Sequence, residues 1–319
     1  MNSLQTLKKP FFVLAPMDDV TDTVFRQIIA ETAPPDLFFT EFVNVDGLQS
    51  PGREKLLSKL KLSDKEHPII AQIWGKTPEN YYKTTKDVIN MGYDGVDINM
   101  GCPDKAVVKN GCCSALINNR ELAEEIIEAV KQACGDHFPA SVKTRVGFTT
   151  IDLSWIEFLL KQKLNMLTIH LRTTKEMSKV PAHWELMREI KKMRDELSPT
   201  TLLVGNGDVL TRQQGEELAI QYGLDGIMIG RGIFNDPFIF ALESPWTQVA
   251  KVRRVALYKK HVQLFADTWQ NNERRIPTLN NFCKVYIQNF NGAKELREQL
   301  MNAKSVVDLI AILSGVDSN

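Results

Sequence analysis

Eight short β-rich runs, each followed by a helical pattern or by a loop leading into one, constrain this chain more than any other feature. They fall at Phe11–Met17, Leu37–Val43, Ile69–Gly75, Gly95–Gly101, Ala140–Gly147, Met166–Arg172, Leu202–Asp208 and Gly226–Gly232. Strands that alternate with helices pair in parallel, because a parallel crossover needs a connection long enough to hold a helix. Runs such as IIAQIWG and GIMIGRG are apolar on successive positions, as expected of strands covered on both faces. Eight such units over about 240 residues match the usual size of a (β/α)8 TIM barrel. The runner-up is an open doubly wound sheet. It wants a GxGxxG turn after its first strand, and LAPMDDV offers none. The expected fold is α/β, with the barrel over residues 1–244.

After Leu242 the texture changes. The β-rich runs stop, and Val249–Asp267, Asn280–Asn289 and Lys294–Leu313 show helical periodicity with charges on one face. Residues 245–319 are expected to form a small C-terminal helical-bundle domain. This tail holds eleven Lys and Arg against six Asp and Glu, a surplus of five, whereas the whole chain holds 39 of each. A neutral total therefore hides a basic tail beside an acidic barrel. A solvated helix surface explains that surplus on charge alone; a polyanionic partner is the sharper reading.

The remaining composition excludes several classes. With 43 % hydrophobic and 24 % charged residues the chain is not intrinsically disordered. No apolar run approaches the roughly 18 residues that cross a bilayer, and Met1 to Pro10 lacks the basic-then-apolar layout of a secretory signal. A cytoplasmic protein without membrane contact is expected. The five cysteines, Cys102, Cys112, Cys113, Cys134 and Cys283, are odd in number and show no CxxC spacing. They suit neither a disulfide framework nor a zinc site, so free thiols and no metal are expected.

In a barrel the chemistry sits at the carboxyl ends of the strands. Read in order, those ends carry Pro16-Met17, Glu41, Gln72, Asn99, Lys143 to Arg145, His170 to Arg172, Asn206 to Asp208, and Gly230-Arg231. One polar strand end means little. Eight on one rim are hard to explain as packing, because buried polar groups must find partners or a ligand. Gly205-Asn206-Gly207-Asp208 and Gly230-Arg231-Gly232 are glycine turns after the seventh and eighth strands, where barrels commonly hold a phosphate. Arg231 would add a charge-assisted hydrogen bond. Asn235-Asp236-Pro237 reads as a helix start capped by Asp236.

Lys143 sits among apolar neighbours in SVKTRVG and must meet an anion or be desolvated at high cost. With Gln72 it could hold a flat heterocycle with an anionic edge, as a reduced flavin has. A Schiff base, or a salt bridge to Glu41 or Asp97, is the competing use. Cys102 lies between Gly101 and Pro103 just past the fourth strand, on a loop at the rim, whereas Cys134 and Cys283 read as buried hydrophobes. No histidine adjoins Cys102. Its thiol is expected to keep an ordinary pKa of about 8.5 and to act as an acid. Asn99 could reach a ligand over the same mouth.

These segments, LAPMDDVTD, TEFV, AQIWG, DINMGCPDKAVVKNGCCSAL, SVKTRVG, IHLRT, VGNGDV and MIGRG, resemble in order and spacing the bacterial tRNA-dihydrouridine synthases. NFNGAKELREQL resembles that family's helical tail. The resemblance implies an FMN enzyme that reduces the C5=C6 bond of uridines in tRNA, with NADPH or NADH as reductant; separately, a monomer is expected. It implies that Pro16, Met17 and Asp18 line the flavin, that Gln72 and Lys143 bind its ring, and that His170 lies against it. Asn206, Gly207, Asp208, Gly230 and Arg231 would take its phosphate, and Cys102 would be the proton donor. Asn99 and Arg172 would border the target base. Lys175 and Lys179 in the loop after the sixth strand, and Lys284, Lys294 and Arg297 in the tail, would contact tRNA. Two departures stand out: Leu171 replaces a small residue and is expected to alter packing beside the flavin, and Cys112-Cys113 stand where small residues are common. An FMN barrel acting on a free pyrimidine, in the manner of dihydroorotate dehydrogenase, and a non-catalytic RNA-binding barrel are the alternatives.

Overall fold

The computed structural model describes residues 3–270 and 273–316. Met1 and Asn2 of the start read for a signal, residues 271–272, and 317–319 with Asp317 of the charge count lie outside the described residues. Eight parallel strands form one sheet: β1 (Phe11–Leu14), β2 (Phe38–Asn44), β3 (Ile69–Trp74), β4 (Gly95–Met100), β5 (Ala140–Arg145), β6 (Met166–His170), β7 (Leu202–Asn206) and β8 (Gly226–Ile229). Their order, β1-β8-β7-β6-β5-β4-β3-β2, is that of a (β/α)8 barrel. Its remaining seam closes through the parallel bridge Val13–Leu37, where the Leu14 N–H donates to the Leu37 carbonyl at 3.2 Å.

All the expected runs but the second extend past the observed strand at the carboxyl end. The backbone there leaves the ladder to build the mouth: Gly207 has φ 143° and Asp208 φ 53°, values a strand residue does not adopt. The single helix expected over Lys294–Leu313 is two, Ala293–Asn302 and Val306–Val316. Ser305 Oγ accepts from the Asp308 N–H, and the Asp308 carboxylate accepts from the Lys304 N–H, so reciprocal capping starts the second helix. The helix expected after Asn235 is also absent. Asp236 accepts the Phe238 N–H at 2.7 Å, but the chain then runs in turns.

Two apolar clusters hold the fold together. Phe11, Val13, Phe39, Ile70, Met166, Val204 and Met228 fill the barrel interior, with Leu4 among them. The second lies between the strands and the outer helices and includes Phe25, Ile28, Ile127, Trp155 and Leu159. It continues without a break into the C-terminal helices through Tyr258, Leu279, Phe282 and Tyr286. Phe25, on the helix Thr23–Thr32, meets Phe282 of Pro277–Tyr286 at 4.8 Å between ring centres. Each such buried aromatic contributes about 1.5–3 kcal/mol, so the tail is fastened to the barrel by the same burial that holds the barrel helices. No helix among the described residues is long and apolar enough to cross a membrane.

Candidate active site

Strand register decides which polar residues share a level. Side chains two apart on a strand point to the same face, and the pairings Arg145–His170, His170–Asn206 and Asn206–Met228 place these four at one height. One step below lie Asn99, Lys143 and Thr168, paired as Asn99–Lys143 and Lys143–Thr168. The inner face of the barrel is thus apolar at its floor and polar near its mouth.

Above this polar layer opens a cavity of about 670 Å³, lined by Pro16, Met17, Lys143, Arg145, His170, Arg172, Asn206, Gly207, Asp208, Gly230 and Arg231 among others. That volume suits a small organic ligand. Four of the lining side chains are cationic and Asp208 is the sole carboxylate. Asp208 ion-pairs with Arg172, and Arg231 lies 3.5 Å away. Lys143 makes no ion pair among the described residues, because both bridges weighed for it are spent elsewhere. Glu41 pairs with Arg274, and Asp97 accepts from Ser141 at 2.6 Å and Gln72 at 2.8 Å. Burial, reinforced by Arg145, lowers the Lys143 ammonium to about 8. Burial and the neighbouring cations Arg145, Lys143, Arg172 and Arg231 hold His170 well below its ordinary value. It is therefore neutral, and its Nε2 can accept from Arg172 Nη1 at 3.1 Å. The cavity carries positive charge that the protein itself does not neutralise.

Gln72 and Asn99 lie in a buried chain beside this cavity. Gln72 Nε2 donates to Asp97, Asn99 Nδ2 donates to Gln72 Oε1 at 2.9 Å, and Asn99 Oδ1 accepts from the Gly101 N–H at 3.1 Å and the Cys102 N–H at 2.9 Å. With Gln72 Nε2 committed to Asp97, Gln72 Oε1 is left for Asn99 Nδ2, and Asn99 Oδ1 is left to hold the Cys102 loop. Burial raises Asp97 to about 7.

Cys102 is half-buried on that loop and faces a second cavity of about 390 Å³, lined also by Asp18, Phe42, Asn44, Lys59, Trp74 and Asp104. Its neighbour Pro103 lines the first cavity, so the thiol stands where the two adjoin. The ordinary thiol pKa expected from the sequence is corrected here. Hydrogen bonding from the Cys113 thiol, with a further bond from the Asp104 N–H, lowers Cys102 to about 7 against the opposing effect of burial. Cys113 is fully buried, has φ 54°, and is itself pushed well up by burial and by that hydrogen bond. The pair at 112–113 is thus not only small packing: Cys113 acts on the titration of the rim thiol. Cys134 and Cys283 are buried, and burial raises each to about 12.

Other residues named from the sequence lie apart. Asp18 lines the Cys102 cavity and pairs with Lys59. Asp18, Asp19 and Glu41 bring carboxylate oxygens within 4.8 Å of one another, and Lys59 and Arg274 engage them. Lys175 and Lys179 are exposed on the loop after β6, and Lys284 and Lys294 are exposed on the tail. Arg297 is half-buried and donates to the Ile287 carbonyl at 2.7 Å, which commits its charge to the end of the helix Pro277–Tyr286. Leu171 points outward into the helix-side core and not beside the cavity, which corrects the packing expected there. Arg145 is a site residue that the reading of the strand ends does not single out. It lines the cavity and ties Gly101, at 2.8 Å, to Thr173 and Met177 of the β6 loop, at 3.0 and 2.9 Å. The signal was its place at the end of β5, two residues beyond Lys143.

A closed parallel barrel whose mouth gathers uncompensated cations over a deep cavity belongs to the class of enzymes that hold an anionic organic ligand at the strand ends. The family model for dihydrouridine synthase (Dus) matches residues 13–316, and the chain belongs to that family. It is 46 % identical over 315 residues to the "Probable tRNA-dihydrouridine synthase" of Staphylococcus aureus (strain N315), covering 98 % of this chain and 94 % of the relative. It is 47 % identical to the "Probable tRNA-dihydrouridine synthase 2" of Bacillus subtilis (strain 168), covering 98 % and 95 %. Among solved structures it is similar to morphinone reductase, with TM-score 0.52 at 12 % identity over 72 % of this chain and 84 % of that one. It is also similar to histamine dehydrogenase from Rhizobium sp. 4-9, with TM-score 0.54 at 14 % identity over 79 % and 48 %. At such identities these structures share the fold alone.

Proposed function

We infer that this chain is a tRNA-dihydrouridine synthase, which uses FMN and NADPH, or NADH, to reduce the C5=C6 bond of uridines in tRNA. The observation that carries the reading is the half-buried Cys102 thiol at the edge of a cavity rich in unpaired positive charge. The donor set fits FMN: Gly207, Asp208 and Gly230 offer backbone and Arg231 a guanidinium for its phosphate, and the unpaired Lys143 suits the anionic edge of its ring. When bound, FMN would provide the hydride chemistry for uracil C6, with the nicotinamide as its reductant.

The chain's own residues do the rest. Pro16, Met17 and Asn206 shape the cavity wall, while Gln72 acts from the buried layer beneath it. His170, kept neutral by its cationic neighbours, adds no further charge against the ring. Asn99 holds the Cys102 loop. Cys102 Sγ–H gives its proton to uracil C5, where negative charge develops after hydride arrives at C6. Arg145 and Arg172 fix the β6 loop, whose Met177 and Ser178 line the flavin cavity. Asp18, expected against the flavin, lines the Cys102 pocket instead, where the flipped-out base would lie. We assign residues 1–244 to catalysis and 245–319 to tRNA binding, with Lys175, Lys179, Lys284 and Lys294 as phosphate contacts. Arg297, expected among them, serves the tail's own fold as well. A cytoplasmic monomer without metal or membrane partner completes the reading.

The test is direct. The purified protein should be yellow, bleach with NADPH, and form dihydrouridine in tRNA. Cys102→Ala should keep the first two properties and lose the third by about 10²–10⁴-fold. Full dihydrouridine formation by that variant would exclude the acid assignment.

A further inference from the structure

The tail returns to the barrel mouth through a buried charge. Beyond the helix Lys251–Thr268, the buried Trp269 donates Nε1 to Asp22 at 3.2 Å, and the Arg274 guanidinium lies 5.1 Å from the Trp269 ring centre. The Arg274 side chain is 6 % exposed and ion-pairs with Glu41, which is fully buried midway along β2. A second nitrogen of Arg274 reaches Asp19 Oδ1 at 3.3 Å. The other Glu41 oxygen accepts the Asp19 N–H at 2.8 Å.

Asp19 is therefore held twice, by its backbone and by its carboxylate. It needs such holding, because it sits at φ 55°, a conformation that a non-glycine residue keeps only when its surroundings over-determine it. The two residues before it part the site: Met17 lines the large cavity and Asp18 lines the Cys102 cavity. The loop after β1 is the partition between the two, and a residue of the tail fixes its outer end. A buried ion pair is a poor source of net stability, and its well-attested use is to select one arrangement among several.

We propose that Arg274 is a positioning residue for the tRNA half of the reaction: by clamping Glu41 and Asp19 it sets the partition between the FMN cavity and the Cys102 pocket, and so aligns the uridine with both. The inference rests on the functional assignment above. It predicts a separation between half-reactions, because nicotinamide needs only the open cavity, whereas the uridine must meet hydride and thiol together. A misplacement of about 1 Å in such a geometry costs up to about a hundredfold in rate.

The experiment compares the FMN-loaded natural protein with Arg274→Met and Arg274→Lys. Two quantities are read: the rate of flavin bleaching by NADPH, and single-turnover dihydrouridine formation by the reduced enzyme at increasing tRNA concentration. Bleaching is expected to stay within about twofold. The maximal dihydrouridine rate should fall about tenfold or more in Arg274→Met, and less in Arg274→Lys, whose ammonium can meet Glu41 but lacks the fork that also reaches Asp19. The half-saturating tRNA concentration should change less than about threefold, since Lys284 and Lys294 are untouched. An unchanged maximal rate, a loss confined to the half-saturating concentration, or an equal loss in both half-reactions overturns the proposal. If Arg274→Met does not retain FMN, Arg274→Lys decides alone by the same criteria. Failure of the natural protein to form dihydrouridine at all would count against the functional assignment instead.

Discussion

Replacing Cys113 by alanine removes the hydrogen bond that holds the Cys102 thiol at about 7. The acid role requires the protonated thiol, so dihydrouridine formation by the natural protein should fall as pH rises through about 7. At pH 8 about one Cys102 in eleven then carries its proton. Without Cys113 the group should return toward its ordinary value of about 8.5, where about three in four are protonated at the same pH. On that limb Cys113→Ala is expected to be about eightfold faster than the natural protein at pH 8 and nearly equal to it at pH 6. The lost sulfur leaves a small void costing about 1 kcal/mol of stability, too little to unfold a domain of this size. Cys112→Ala is the control. That thiol faces the Asn110 carbonyl at 3.7 Å, so its removal should leave the limb in place. The assay is single-turnover dihydrouridine formation at saturating tRNA between pH 6 and pH 9. An alkaline limb that stays at about 7 in Cys113→Ala would refute the reasoning.

Lys143→Met should weaken FMN retention by about 10–100-fold, the range for loss of a charged hydrogen bond in a buried site, read by equilibrium dialysis. In the apoprotein the same change should flatten stability against pH. The folded Lys143 titrates near 8 and the unfolded one near 10.5, so the unfolded chain binds the extra proton between these values and the natural apoprotein gains stability as pH rises through them; an unaltered pH profile in thermal melts would contradict this. Asn99→Ala removes the acceptor for the Gly101 and Cys102 N–H groups and strands Gln72 Oε1. It should cost about 1–3 kcal/mol in denaturant unfolding and lower dihydrouridine formation while FMN stays bound, and an unchanged unfolding midpoint would argue against the chain of amides. Reversing Lys284 and Lys294 to Glu should reduce the slope of log affinity against log salt for tRNA by at least about 1.5, with Arg297 left intact because it caps the Ile287 carbonyl. An unaltered slope would mean that this face does not meet tRNA. Deleting residues after Pro245 is the less informative change, since Phe25 and its neighbours share their core with the tail.

Local pattern was enough for the barrel, because each β-rich run and each following helix declares itself over a few residues, and eight of them close in only a few ways. It was enough also to point at the strand ends, since polar residues at the end of an otherwise apolar run demand a partner or a ligand. The helix break at Ala303–Ser305 has a local signature too, in the cap pattern SVVD. Other facts had no local signature. That Lys143 goes unpaired depends on Glu41 being taken by Arg274, 233 residues away, and on Asp97 being taken by Gln72 and Ser141. That Cys102 is more acidic than an ordinary thiol depends on Cys113, eleven residues further on, acting on it. Arg145 reads in the sequence as one more charge, and only the β5–β6 register turns it into the tie between two loops. Which residues carry an affinity for anions is written into single runs of sequence. Which of those charges stay unsatisfied is settled by pairings between distant strands, because a charge is neutralised by whatever lies within a few ångströms of it, and only the closed barrel brings those groups together.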